Sequence, residues 1–310
     1  MASRLLQGSL TKSSRDSYNR IYHNYEQFSQ LYFPYQQVLP AALESLTMFI
    51  AHCFEQNYAA ATVSTYISAL SYIHKRLGLQ DNTQHFIINK ALNGFQKLRA
   101  SKDNRLPITP SILKGLINSL PHTCTCTSLF MSKLLKAMYL LAFHAFVRVG
   151  EITGQLPPNG NNLQLNNIKF TFDNSQLPIA IEIRMSYFKH SSGKHIPVLL
   201  VQQNTSQNDL CPGKVLWEYL KLRIANMNSP QLLFSVMDDL PLSRQFFTNQ
   251  LRLSLSYLGL SWKNYKRHSF RIGAATTAAS MNIPEDKIQQ MGRWHSKAFK
   301  KYVRIPTLNK

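Results

Sequence analysis

One stretch of the chain alternates with the period of a β-strand, while the segments on either side repeat at helical spacing. Ile179, Ile181, Ile183, Met185 and Tyr187 are separated by Ala180, Glu182, Arg184 and Ser186. That period of two puts one face against a core. Leu165 to Phe172 is a candidate partner strand, Ser191-Ser192-Gly193 suits a turn, and His195 to Val201 returns. The expected fold class is therefore mainly α with a small antiparallel β-sheet.

Residues 11–98 read as four amphipathic helices. The first carries Tyr18, Ile21, Tyr25, Phe28 and Tyr32 and stops at Pro34. The second starts near Pro40, with Leu43, Leu46, Phe49, Ile50 and Cys53 inward. The third starts near Thr62, shows Val63, Tyr66, Leu70, Ile73 and Leu77, and ends at Gly78. The fourth starts near Thr83 and shows Phe86, Ile87, Ala91, Leu92, Phe95 and Leu98.

The polar, basic segment Arg99–Pro107 follows and suits a linker, with Arg99, Lys102 and Arg105 either tracking a polyanion or simply solvated. The expected organisation is a helical domain over 1–98, a linker over 99–107 and a second domain over 108–310. In the second domain, Thr109-Pro110 opens a helix and an apolar helix runs from Ser128 to about Val147. A further helix spans Asp209 to about Asn226, and Ser243 caps another that Gly259 ends.

The chain carries 35 Lys and Arg against 15 Asp and Glu, a net charge of +20. Such a balance points to a polyanionic partner, nucleic acid first. Cys53, Cys124, Cys126 and Cys211 form no disulfide framework, and Cys124-x-Cys126 lacks the second pair a zinc site needs. A reducing interior is the expected setting. The apolar run Met138–Val147 is interrupted by His144 and too short to span a bilayer, so no membrane association is expected.

The densest chemistry lies between Lys266 and Arg304. His268 and Arg271 stand at i and i+3, and on a helix they share a face. Small residues follow, Gly273-Ala274-Ala275 to Ala278-Ala279, then Pro284, Glu285 and Asp286 at a helix start and Gly292 as its stop. Ser296 suits the cap of a short last helix carrying Phe299 and Tyr302. Ten Lys and Arg stand against two acids from Lys263 to Arg304. A phenol titrates near 10, so a tyrosine that attacks phosphorus needs a base or strongly cationic surroundings.

Together these residues resemble the tyrosine recombinase, or phage integrase, family. His268/Arg271 match its H-x-x-R box, Gly292 its late Gly step and Tyr302 its nucleophile. The G-R-W-x-S-x-A-F-x-x-Y-V-R form is most similar to the eukaryotic transposon-encoded branch, of the Crypton and DIRS kinds. F-V-R-V-G-E-I resembles the first box, with Arg148 as its catalytic arginine and Glu151 as the acid that orients its neighbours. The family's hairpin lysine falls on Lys189, before Pro197, with Lys194 as the fallback. At the late His/Trp position, ungapped alignment gives Arg293, with Trp294 and His295 next.

The resemblance implies a helical core-binding domain that clamps DNA, followed by a catalytic domain. It also implies a double-stranded DNA partner, assembly as dimer to tetramer on DNA, and no cofactor, metal or ATP. The implied activity is cleavage and rejoining of DNA strands through a 3′-phosphotyrosyl intermediate for a mobile element. The location would be nuclear for a eukaryotic host and otherwise cytoplasmic. The runner-up is a DNA-binding protein derived from such a recombinase without its catalysis.

Overall fold

The computed structural model describes residues 8–100, 103–124, 128–154, 162–185, 197–202, 210–224, 231–236, 240–294 and 296–304. The chain divides into two compact units, Met1–Asp103 and Asn104–Lys310.

The first unit holds α1 (Lys12–Tyr32), α2 (Leu43–Glu55), α3 (Ala60–Leu77) and α4 (Phe86–Leu98). Thr11 caps α1 by accepting from the Ser14 amide at 3.2 Å, and Gly78 ends α3 with φ 68°, a backbone conformation that costs glycine little. The core joins Tyr25, Phe28, Leu46, Phe49, Val63, Leu70, Ile88 and Phe95. His74 is buried beside it, and both ring nitrogens are used. Nε2 accepts from the Ala41 amide at 2.8 Å and Nδ1 donates to the Leu70 carbonyl at 2.7 Å, which sets the tautomer.

The inward face of α4 differs from the expected one. Ile88 and Phe95, seven apart, are buried, whereas Phe86, Ile87 and Leu98 are exposed. Tyr32 and Leu77, at the ends of their helices, are exposed too. An apolar stretch as dense as Phe86-Ile87-Ile88 offers several helical phases, and contact with α2 and α3 selects one of them. Arg99 is not a free basic side chain: its Nη1 donates to Asn57 Oδ1 at 2.8 Å and its guanidinium lies over the Phe54 ring.

The second unit is built around α6 (Leu129–His144). Leu134, Leu135, Met138, Tyr139, Leu141 and Ala142 are all buried, as expected of a helix apolar on every side. It is packed by α5 (Pro110–Thr123), by α8 (Pro212–Ile224) and by α10 (Ser269–Ser280). Between α6 and α8 come the four-residue helix α7 (Val149–Ile152) and the sheet. The sheet comprises β1 (Ile168–Phe172), β2 (Pro178–Arg184) and β3 (Val198–Gln202), antiparallel in the order β1-β2-β3. Ile181 pairs with Phe170 on one side and Val201 on the other. Ile181 and Ile183 are fully buried while Leu200 is exposed, so the sheet has one dry face. The fold is thus mainly α with a small antiparallel sheet. α9 (Arg244–Tyr257) and α11 (Glu285–Gly292) complete the unit. No helix among the described residues is long and apolar enough to cross a membrane.

Three local expectations fail for geometric reasons. The long helix ends at His144, short of Val147, because Phe146 takes a left-handed conformation with φ 51°. Arg148 therefore sits at the start of α7 and not at the end of α6. Gly292 is the last residue of α11, and the left-handed cap is Arg293, φ 54°. Finally, Lys297–Lys301 is a 3-10 turn, and Tyr302 follows it without being carried on a helix.

Candidate active site

The pieces converge where α7, the start of α10 and the end of α11 meet. Phe146 turns the chain out of α6, and its carbonyl is held by two guanidinium groups, Arg271 Nη1 at 2.9 Å and Arg293 Nη2 at 3.2 Å. A non-glycine residue in the left-handed region is strained and persists only where its surroundings hold it. Two residues on, Arg148 opens α7. Glu151 Oε2 accepts the Arg148 amide at 2.7 Å, and Oε1 accepts Arg148 Nη1 at 3.1 Å. The carboxylate thus caps the helix and orients the arginine in one arrangement. Arg293 Nη2 reaches the same carboxylate at 3.0 Å.

His268 directly precedes α10, and Arg271 lies in its first turn. Arg271 is 2% exposed. Its Nη2 donates to the Gly292 carbonyl at 2.6 Å. Two of its five N–H donors therefore go to backbone carbonyls among the described residues, at Phe146 and Gly292. The guanidinium lies 4.6 Å from the Trp294 ring centroid and 5.9 Å from that of Tyr302. Trp294 and Tyr302 rings are 5.2 Å apart, and His268 and Tyr302 rings 6.3 Å apart. Thr276 anchors the segment at Tyr302: its hydroxyl donates to the Tyr302 carbonyl at 3.3 Å and accepts from the Arg304 amide at 3.0 Å.

Glycine at 292 is required by the ring that folds over it. A Cβ there would sit 1.7 Å from the Trp294 ring. The Trp294 amide donates to the Gln289 carbonyl at 3.0 Å, and its carbonyl accepts Gln289 Nε2 at 2.9 Å, so the backbone that carries the indole is tied to α11.

The site carries excess positive charge. Arg148, Arg271 and Arg293 surround one carboxylate, Glu151. Burial, and then the neighbouring Arg148 and Arg293 charges, lower Arg271 to about 9. Burial likewise lowers Arg293, which Glu151 partly offsets. His268 stays accessible to solvent. Even so, its partial desolvation, then Arg105, Arg271, Arg148 and Arg267, push the imidazole down to about 4. An anion placed among these groups would relieve the repulsion that depresses them.

The linkage for His268 has a definite sign. Its folded value lies below the ordinary 6.5, so the unfolded chain takes the proton first. The stability it contributes is complete above about pH 6.5 and is lost as pH falls toward 4. We expect an NMR titration, assigned with His268→Gln, to place the His268 midpoint near 4 in the free protein and to raise it when inorganic phosphate is added. A midpoint at or above 6.5 without phosphate would contradict this electrostatic picture.

Among the residues that the sequence singles out, Arg148, Glu151, His268, Arg271, Arg293, Trp294 and Tyr302 are gathered in one place. Lys189, Lys194 and His295 lie outside the described residues, as does Cys126. Sequence reading missed the Phe146 carbonyl, since a backbone acceptor leaves no residue-type signal. Arg105, read from sequence as either tracking a polyanion or solvated, brings its charge to bear on His268.

A chain with this topology, and with arginines, a histidine and a tyrosine so arranged, has the fold of the tyrosine recombinases and integrases. The Tn1549 transposon integrase in complex with circular intermediate DNA superposes with a TM-score of 0.64 at 13% identity, over 97% of this chain and 92% of that one. The XerH site-specific recombinase bound to its palindromic difH substrate gives 0.63 at 17%, over 93% and 74%. A lambda integrase dimer bound to a COC′ core site gives 0.59 at 13%, over 100% and 96%. At these identities the likeness is one of fold. No protein-family model and no curated protein matches the sequence.

Proposed function

We propose that this chain is a DNA strand transferase of the tyrosine recombinase type, with Tyr302 as nucleophile. The observation that carries the reading is the placement of Arg271 and His268 beside Tyr302, with Arg148 close enough for its charge to act on both, on a fold shared with recombinases solved on DNA.

The chemistry follows from the groups. A phosphodiester under attack concentrates negative charge on its non-bridging oxygens, and Arg148 and Arg271 offer planar forks to them. Three guanidiniums and one carboxylate leave two positive charges in excess, which match the charge of a five-coordinate phosphorane. His268, neutral at pH 7 in the free protein and made a stronger base by the DNA phosphate, accepts the Tyr302 proton or holds the phosphate. The Tyr302 oxygen forms its bond to phosphorus as the bond to the 5′-oxygen breaks, and Lys189 protonates that leaving oxygen. The phosphotyrosyl ester keeps the bond energy, so a 5′-hydroxyl of another strand reverses the step and exchanges strands. Neither metal nor ATP takes part.

The Met1–Asp103 unit serves as the core-binding domain, with the protein acting as dimer to tetramer on double-stranded DNA. The G-R-W-x-S-x-A-F-x-x-Y-V-R form supports a mobile element of the Crypton or DIRS kind and a nuclear site of action.

The test is trapping on nicked duplexes, taken from DNA flanking the coding sequence and from a pool with a randomised core. Covalent adducts are read on a denaturing gel in the presence of chelator. The expected result is an adduct that survives chelation and is lost in Tyr302→Phe, while duplex binding persists. Binding without any adduct would favour the non-catalytic relative, and an adduct that chelator abolishes would overturn the metal-free mechanism.

A further inference from the structure

Arg293 and Trp294 are consecutive, yet their side chains serve different partners. Trp294 lies against Arg271 and Tyr302. Arg293, at the left-handed cap of α11, is 7% exposed and reaches the supports of the other two arginines. One of its nitrogens, Nη2, donates both to Glu151 Oε2 and to the strained Phe146 carbonyl. Glu151 in turn holds the Arg148 amide and guanidinium, and the Phe146 carbonyl also accepts from Arg271. Every link from Arg148 to Arg271 in this network passes through a group that Arg293 touches.

We propose that Arg293 is a positioning residue. It neutralises Glu151 and pins the Phe146 carbonyl so that Arg148 and Arg271 converge on one phosphate, and it does not donate to that phosphate itself. The inference rests on the strand-transferase reading and assigns Arg293 and Trp294 separate tasks within it. Arg293 Nε and Nη1 are buried without a partner among the described residues, so direct donation to phosphate is the competing role that the experiment must separate.

The two roles differ in what Glu151 does once Arg293 is gone. In a positioning role, Arg293→Met leaves a buried carboxylate with one cation fewer, and it competes with DNA phosphate for Arg148. Removing that charge with Glu151→Gln should then help. In a donor role, the lost donor stays lost whatever happens at Glu151. On a nicked duplex that wild type cleaves, Arg293→Met is expected to slow adduct formation at saturating DNA about 100-fold, the scale of a small misplacement of reacting groups. Duplex affinity should stay within about threefold, since the phosphate contacts themselves remain.

The double variant Arg293→Met/Glu151→Gln should recover about tenfold of that rate, as the unpaired charge is removed. Arg293→Lys, which keeps the cation, should fall between wild type and Arg293→Met, and it carries the test with the double variant if Arg293→Met melts. A double variant no faster than Arg293→Met would overturn the inference. So would an Arg293 variant that loses affinity by the same factor as rate, or one as fast as wild type. If any of these occurs while wild type forms adducts, the strand-transferase reading stands and only the role of Arg293 falls. Wild type that forms no adduct removes both.

Discussion

Arg271→Lys is expected to slow covalent adduct formation by about 10³–10⁵-fold, the range over which arginines act in phosphoryl transfer. Charge alone does not replace this side chain. Arg271 spends Nη1 on the Phe146 carbonyl and Nη2 on the Gly292 carbonyl, and the planar group still has N–H donors left for an anion. A lysine presents one compact ammonium on a flexible stem and cannot hold two carbonyls and a phosphate oxygen in one plane. The Phe146 carbonyl keeps Arg293 Nη2, but the Gly292 carbonyl would lose its guanidinium partner. Leaving one buried acceptor unsatisfied costs about 1–3 kcal/mol. The measurement is single-turnover trapping on a nicked duplex at saturating protein, with duplex affinity and a thermal melt alongside. A folded Arg271→Lys protein within tenfold of wild type would take Arg271 out of the chemistry.

The largest stability effect is expected at Gly273. A Cβ built there would lie 1.8 Å from the Ile108 carbonyl oxygen and 2.7 Å from its carbon. Both are backbone atoms, so no side chain can swing away. The Ile108 amide donates to the Ser269 carbonyl at 3.0 Å, so the segment that begins the second unit is tied to α10 where the methyl group would intrude. Gly273→Ala must part this contact, with an overpacking cost of about 3 kcal/mol. For a unit of this size that corresponds to about 6–12 °C in Tm. Gly94→Ala is the control: it lies in α4 with nothing within 4 Å of its Cβ position, and it should gain up to about 1 kcal/mol through helix propensity. A Gly273→Ala melt within 2 °C of wild type would show that the approach of Ile108 to α10 is looser than described.

Much of this was readable from residue types. The period-two run at Ile179–Tyr187 placed β2, with Ile181 and Ile183 on its dry face. Helical spacing located α1 to α5, α8 and α9 within a few residues, because their apolar stripe keeps its period in the sequence, while α6 was legible as a long apolar run and α10 as a run of small residues. The H-x-x-R pair, the R-V-G-E step and the G-R-W step were visible as motifs, and the structure brings their side chains together. Less legible was the phase of α4, where Phe86 and Ile87 face outward and Ile88 faces in. Side-chain chemistry alone does not choose among adjacent apolar residues; the helices packed against them do.

The end of α6 was also hidden, because the left-handed turn falls on Phe146, a residue type with no preference for it. That turn moves Arg148 from the C-terminus of one helix to the N-terminus of the next, where Glu151 can cap and orient it.

By itself the sequence determined the helical class, the small antiparallel sheet, the strong positive charge and which residue types stand in the candidate site. Those properties are local: they follow from periodicity and from the chemistry of individual side chains. Only the tertiary structure decided that Arg293 turns toward Glu151 while its neighbour Trp294 turns toward Tyr302, and that one backbone carbonyl at Phe146 serves both Arg271 and Arg293. The reason is physical. Two neighbours in a chain can be sent in different directions by a single left-handed residue, and an acceptor on the backbone is the same in every amino acid, so its partners are set by packing.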